Sequence, residues 1–140
     1  MQARVVLLTQ GGLGREVVRS AGEVVGELPA AEVIELPWSA TSSEAEEALA
    51  AALERGEPSD VLVLTDLYGS TPDRAARRLA SDRLAVVSGL NLAMLVCLCC
   101  SEPRGENIAE LASWVRTKAV RSIACEDPNG AGGTDGGSDE

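Results

Sequence analysis

Histidine is absent from the chain. Any mechanism for this protein must therefore work without an imidazole, the commonest general base at neutral pH and the commonest metal ligand. Four cysteines, at 97, 99, 100 and 125, do not fill the gap: three of them lie inside one apolar run, and no histidine completes a zinc set. Phenylalanine is missing too and aromatics make up 2 % of the residues, so the core must be Val, Leu, Ile and Ala. That composition suits β-branched strands beneath Ala/Leu-rich helices. Bases are scarce, 12 against 22 acids, for a net charge of −10; five acids and no base fall between Glu126 and Glu140. This balance argues against nucleic acid and anionic membrane as partners, since both need Lys and Arg to meet phosphate. Long hydrophobic runs are lacking as well. The longest, about Leu90 to Cys100, is too short to cross a bilayer, and no basic flank leads into an apolar leader. The expectation is a cytoplasmic chain with reduced, mostly buried thiols and no cofactor or metal.

What is present is an alternation of strands and helices within 140 residues, enough for one domain with its own core. Arg4 to Thr9 reads as a strand that empties into Gln10-Gly11-Gly12-Leu13-Gly14. A helix carrying Val17, Val18, Ala21, Val24, Val25 and Leu28 at helical spacing follows, closed by Pro29. Glu32 to Leu36 alternates as a second strand. Ser43 and Glu46 have capping-box spacing for a helix from Glu44 to about Arg55. Asp60 to Thr65 is a nearly continuous apolar run, the mark of a strand covered on both faces. It exits into Asp66-Leu67-Tyr68-Gly69-Ser70-Thr71-Pro72, where Thr71 reads as the N-cap of a third helix and Pro72 as its first residue. Leu84 to Ser88 is a fourth strand, and Gly89-Leu90-Asn91 turns into a helix from Leu92 to about Cys100. A last helix from about Glu106 to Lys118 precedes a short apolar segment, Ala119 to Cys125, that reads as a final strand. The domain thus spans 1–125, and the acidic, glycine-rich 126–140 cannot bury enough to order itself.

Right-handed crossovers make such a sheet mainly parallel, so the first, third and fourth strands end along one edge. Gln10, Asp66 and the Gly89/Asn91 turn should line one crevice there. Gly11, Gly12 and Gly14 leave the backbone free to curl around an anion, and Gly69, Ser70 and Thr71 offer N–H groups and hydroxyls at a second helix start. The plainer alternative is that the glycines make tight turns, Thr71 caps a helix and Asp66 satisfies loop amides.

Three segments, Val-Leu-Leu-Thr-Gln-Gly-Gly-Leu-Gly, Leu-Thr-Asp-Leu-Tyr-Gly-Ser-Thr-Pro and Val-Ser-Gly-Leu-Asn-Leu-Ala-Met-Leu, resemble in order and spacing the signatures of the mannose-family enzyme IIA domain. That domain belongs to the bacterial sugar phosphotransferase system. The resemblance implies a flavodoxin-like three-layer sandwich, usually dimeric, with a carboxy-terminal strand exchanged between subunits; Ala119 to Cys125 is the candidate. It implies a histidine in the first loop that takes phosphate from the histidine-containing phosphocarrier and passes it to a IIB partner, with an aspartate supporting the imidazole. Asp66 matches the aspartate, and Gln10 stands where the histidine should be. A carboxamide nitrogen has its lone pair delocalised; it hydrogen-bonds, and so could reach Asp66, but it does not attack phosphorus. Gly69-Ser70-Thr71-Pro72 replaces the usual Gly-Gly-Ser-Pro, and Asp73 and Arg74 replace an aromatic and an asparagine. Asp73 near the site should repel phosphate, and Arg74 should attract it.

The reading is a degenerate enzyme IIA-like component acting by binding. The alternatives are a working phosphoryl carrier that uses Ser70, Thr71 or Asp66, and a small-anion-binding module of the same shape. A receiver-type phosphoaspartate at Asp66 lacks paired acids in the first loop, and the single lysine is Lys118. Cys97, Cys99 and Cys100 sit in an apolar helix with no base nearby in sequence, so they read as packing. Trp38 and Trp114 read as packing or dimer-surface residues.

Overall fold

The computed structural model describes residues 2–101 and 105–129. Four strands form one sheet: β1 (Ala3–Gln10), β2 (Ala31–Leu36), β3 (Asp60–Thr65) and β4 (Leu84–Ser88). Five helices join and follow them: α1 (Leu13–Val25), α2 (Ser42–Glu54), α3 (Thr71–Arg78), α4 (Leu92–Cys100) and α5 (Ile108–Arg121). The strand order is β2-β1-β3-β4 and every pairing is parallel. Both faces of the sheet are covered, which gives three layers. Leu7, Leu62 and Leu64 pack with Val18, Met94, Leu95, Leu111 and Val115 on one side. Val6, Leu8, Val61 and Val63 pack with Ala45, Leu49, Ala75 and Ala76 on the other. Alternate residues of β1 and β3 therefore point into different cores, and both sets are apolar, which explains the unbroken hydrophobic runs.

The chain leaves β1 toward β2 in one direction and β3 toward β4 in the other. The crevice at the carboxyl edge opens between β1 and β3, the switch point of the sheet. Gln10 ends β1 and Asp66 directly follows β3.

Several local expectations are corrected. The capping box of α2 is Thr41 with Glu44, not Ser43 with Glu46: Thr41 Oγ1 accepts the Glu44 N–H at 3.2 Å and Glu44 Oε1 accepts the Thr41 N–H at 3.3 Å. Three consecutive hydroxyls compete for that cap, and the first one, with extended backbone, takes it. Helix α1 ends at Gly26 (φ 96°), before Pro29, and its N–H reaches Gly22 O at 2.8 Å. Val24 and Leu28 are left exposed. The final strand expected over Ala119 to Cys125 does not begin at Ala119: α5 runs to Arg121, and residues 123–127 pair with no strand of their own chain among the described residues. Ala119 completes the buried stripe Leu111, Val115, Ala119 at four-residue spacing, so helix wins there.

The thiols are not mostly buried; Cys97 is half-buried, and Cys99, Cys100 and Cys125 are exposed. Helix α4 buries Met94 and Leu95, packs Leu98 against the core and leaves Cys99 and Cys100 at its exposed end. Partial desolvation still pushes the Cys97 and Cys99 thiols up, which disfavours their thiolates. Among the described residues no cluster could hold a metal, and no helix is long and apolar enough to cross a membrane. Most of the expected acidic tail, 130–140, lies outside the described residues.

Candidate functional site

The two site residues named from sequence, Gln10 and Asp66, do meet. Their link runs through the main chain: Asp66 Oδ2 accepts the Gln10 backbone N–H at 3.1 Å. The Gln10 amide turns the other way and donates from Nε2 to the Trp38 carbonyl at 3.4 Å. Asp66 Oδ1 accepts the Leu67 N–H at 2.8 Å and the Ser70 hydroxyl at 2.7 Å. Three neutral donors thus hold this carboxylate across the switch point.

The three glycines of the first loop have three separate jobs. Gly11 sits at φ 64° and donates its N–H to Leu36 O at 2.9 Å, which closes the turn onto β2. The Trp38 indole lies against it, and a β-carbon there would fall 3.0 Å from Nε1. Gly12 is the N-cap of α1 and has no side chain to cap with. Gly14 lets α1 approach the sheet: its N–H donates to the buried Thr9 Oγ1 at 3.2 Å, and a β-carbon would stand 2.9 Å from that oxygen and 3.0 Å from Val33 Cγ1. Gly14→Ala is therefore expected to destabilise the fold by about 1–3 kcal/mol through overpacking. Urea denaturation measures this as a lower midpoint at unchanged slope.

The second loop is organised differently from the expectation. Ser70, not Thr71, is the N-cap of α3: it has φ −67° and ψ 169°, and its Oγ accepts the Asp73 N–H at 3.3 Å. Thr71 and Pro72 are the first two helical residues, a place where a missing N–H costs nothing. The Ser70 N–H donates to Leu67 O at 3.0 Å and the Gly69 N–H to Asp73 Oδ2 at 2.9 Å, so neither points to open crevice.

Asp73 was expected to repel an anion at the site; instead it is fully buried and faces inward. Besides Gly69 it accepts from Thr65 Oγ1 at 2.7 Å and Arg77 Nε at 2.9 Å. Burial alone would raise its pKa, but the hydrogen bonds from Gly69, Arg77 and Thr65 and the charge of Arg77 outweigh it, and the carboxyl is held below its ordinary 3.8. The ionised form is thus stabilising above that ordinary value, and the contribution is lost as pH falls through the lowered one. Arg77 also donates from Nη2 to Ser88 Oγ at 3.2 Å and lies 4.9 Å above the Tyr68 ring. Arg74 is exposed and forms no ion pair among the described residues. The third loop joins the same edge: Leu90 N–H donates to Thr65 O at 2.9 Å, and Asn91 Oδ1 caps α4 at 3.1 Å.

Sequence reasoning missed two features. Asp73 as the centre of the second loop had a signal, the Ser70-x-x-Asp73 spacing of helix starts. The other is an exposed apolar rim around the crevice. Trp38 is 76 % exposed and Tyr68 74 %, with Leu13 and Leu67 beside them in the first and second loops. In a chain with only two Trp and one Tyr, exposing both is costly unless something covers them.

Comparison with known proteins bears on this site. A family model described as the PTS system fructose IIA component matches residues 4–115. The chain is similar to the mannose/sorbose-specific IIA subunit of the phosphotransferase system from Enterococcus faecalis, at 31 % identity and TM-score 0.80 over 91 % of this chain and 96 % of that one. It is similar to the phosphotransferase system component EIIA from Streptococcus agalactiae, at 25 % identity and TM-score 0.76 over 89 % and 97 %. No curated protein matches the chain.

Proposed function

This chain belongs to the family of PTS fructose IIA components, of mannose type, and from that premise we propose that it acts by docking other components of the system rather than by carrying phosphate. One observation carries the reading. The position the resemblance assigns to the phosphohistidine holds an amide, and that amide is turned to the Trp38 carbonyl. Its nitrogen has no free lone pair for phosphorus. Asp66, the family's supporting acid, is engaged by the Gln10 main chain, Leu67 and Ser70. The site keeps its shape without its nucleophile.

A second reading, a working carrier with another acceptor, draws on one contact: the Ser70 hydroxyl lies 2.7 Å from the Asp66 carboxylate, a potential base. The same oxygen caps α3 through the Asp73 N–H, and a phosphoryl group on it would sit against the Asp66 carboxylate, whose charge repels it. Docking draws its support from Trp38, Tyr68 and Arg74, the residue types that dominate binding energy at protein interfaces. The partners proposed are the histidine-containing phosphocarrier and a IIB component, met in the cytoplasm. A homodimer is also proposed. Its seat is the groove of about 550 Å³ between β4 and α5, where Val86, Met94, Val120 and Ile123 lie.

Calorimetric titration with the phosphocarrier tests the docking. A saturable complex is expected, weakened about 30-fold or more by Trp38→Ala, which corresponds to the ~2 kcal/mol of an interface hot spot. Absence of binding by the intact chain, or binding indifferent to Trp38→Ala, would contradict it.

A further inference from the structure

The second loop gathers a donor set of the kind that holds anions: a backbone N–H in a left-handed glycine turn, a hydroxyl and a guanidinium. Gly69 (φ 83°), Thr65 and Arg77 supply them, and all three converge on one carboxylate at 2.9, 2.7 and 2.9 Å. That carboxylate comes from the chain itself. Asp73 stands four residues after Gly69 and four before Arg77, so one turn of α3 delivers it into the loop. It is fully buried, leaving no room on those donors for a second anion. Arg77 passes the arrangement outward, for the same guanidinium binds Ser88 Oγ and lies over the Tyr68 ring.

We propose that Asp73 is a resident anion, a positioning residue that fills the cradle of the second loop, so that the loop takes no free phosphate and instead holds Tyr68 out for a partner. The inference rests on the docking reading only for the role of Tyr68; the filled cradle stands or falls without a partner. The hydrogen bonds to Gly69 and Arg77 that keep Asp73 ionised agree with it. Two consequences follow from the geometry. The intact chain should be indifferent to small anions at the Gly69 amide. A chain without the carboxylate should accept one, because the buried Thr65 hydroxyl and the Gly69 N–H would lose their acceptor and the half-exposed Arg77 its ion-pair partner.

The experiment compares the intact chain with Asp73→Ala, using formate and inorganic phosphate as probes and sodium chloride at matched ionic strength as the control. For the intact chain, the Gly69 amide resonance and the melting temperature should not move with either probe. For Asp73→Ala, the melting temperature should fall by several degrees and be partly recovered, saturably, by formate. Phosphocarrier affinity should fall with the substitution and rise again with formate. Should Asp73→Ala not fold, Asp73→Asn takes its place, expected to fold with lowered stability and weaker docking; unchanged stability in that variant would overturn the proposal. Saturable movement of the Gly69 amide by phosphate in the intact chain would overturn it too, as would Asp73→Ala that ignores formate. A phosphocarrier that never binds the intact chain would instead count against the docking reading, with the anion results unaffected.

Discussion

Gln10→His is expected to turn this chain from a non-acceptor into a phosphoryl acceptor. The gain is large because the missing element is the nucleophile itself; in enzymes, deleting such a group costs on the order of 10⁶ in rate. The surroundings are already in place. Residue 10 ends β1 at the switch point, and the Asp66 carboxylate lies 3.1 Å from its backbone nitrogen. An imidazole there would have a carboxylate within reach to fix its tautomer, the ordinary support for a working histidine. The Gly11 turn is closed by its own N–H to Leu36 O and carries the Trp38 indole, so the substitution removes only the Gln10 amide's bond to the Trp38 carbonyl. Intact-protein mass spectrometry after incubation with phosphoenolpyruvate and the general phosphotransferase proteins should show the variant carrying one acid-labile phosphoryl group. A variant that binds the phosphocarrier and still stays unlabelled would contradict the claim that the lost imidazole is the decisive defect.

Ending the chain at Ser122 is expected to convert a dimer into a folded monomer. Among the described residues the outer edge of β4 carries no strand, and an unpaired edge is a template for another chain. The groove beside it is apolar, and Val120 and Ile123 stand exposed at its rim. Residues 123–127 continue past this groove without pairing to their own sheet. A second copy's segment has the composition to lie along the edge, with Ile123 in the groove. Removal at that point spares Ala119 and the rest of the buried α5 stripe, so the fold itself should persist. Sedimentation equilibrium should give a dimer mass for the full chain and a monomer mass for the shortened one, with helical circular dichroism largely retained. Equal masses would contradict strand exchange.

The layers of this fold were legible because a parallel sheet covered on both faces needs continuous apolar strands, and Val61 to Leu64 or Val5 to Leu8 admit few other readings. β4 and α4 came out with their observed limits for the same reason: each apolar run is bounded by a residue that must turn or cap, Gly89 for one and Asn91 for the other. The caps of α2 and α3 were misplaced where adjacent hydroxyls, Thr41-Ser42-Ser43 and Ser70-Thr71, compete and only backbone geometry decides. The start of the last strand was misplaced because Ala119 suits a strand locally but fills a helical stripe in three dimensions.

At the site, topology alone brought Gln10 to Asp66, since one ends and the other directly follows parallel strands that pair. The direction of the Gln10 amide was not legible, because its acceptor, Trp38 O, lies 28 positions away on the loop after β2. Asp73 was misjudged for a related reason. A carboxylate read along the chain is a surface charge until its donors are known, and two of its three, Thr65 and Gly69, come from before the helix that carries it. The glycines of the first loop likewise read as an anion cradle, while Gly11 serves the Trp38 packing and Gly14 the contact of α1 with Thr9 and Val33.

The most direct test is the mass of the unaltered chain in the same phosphoenolpyruvate mixture, with a family member that keeps its histidine as the positive control. An unchanged mass, alongside a labelled control, is the predicted result. A stoichiometric phosphoryl group on any side chain of the unaltered protein, Ser70 included, would contradict the account.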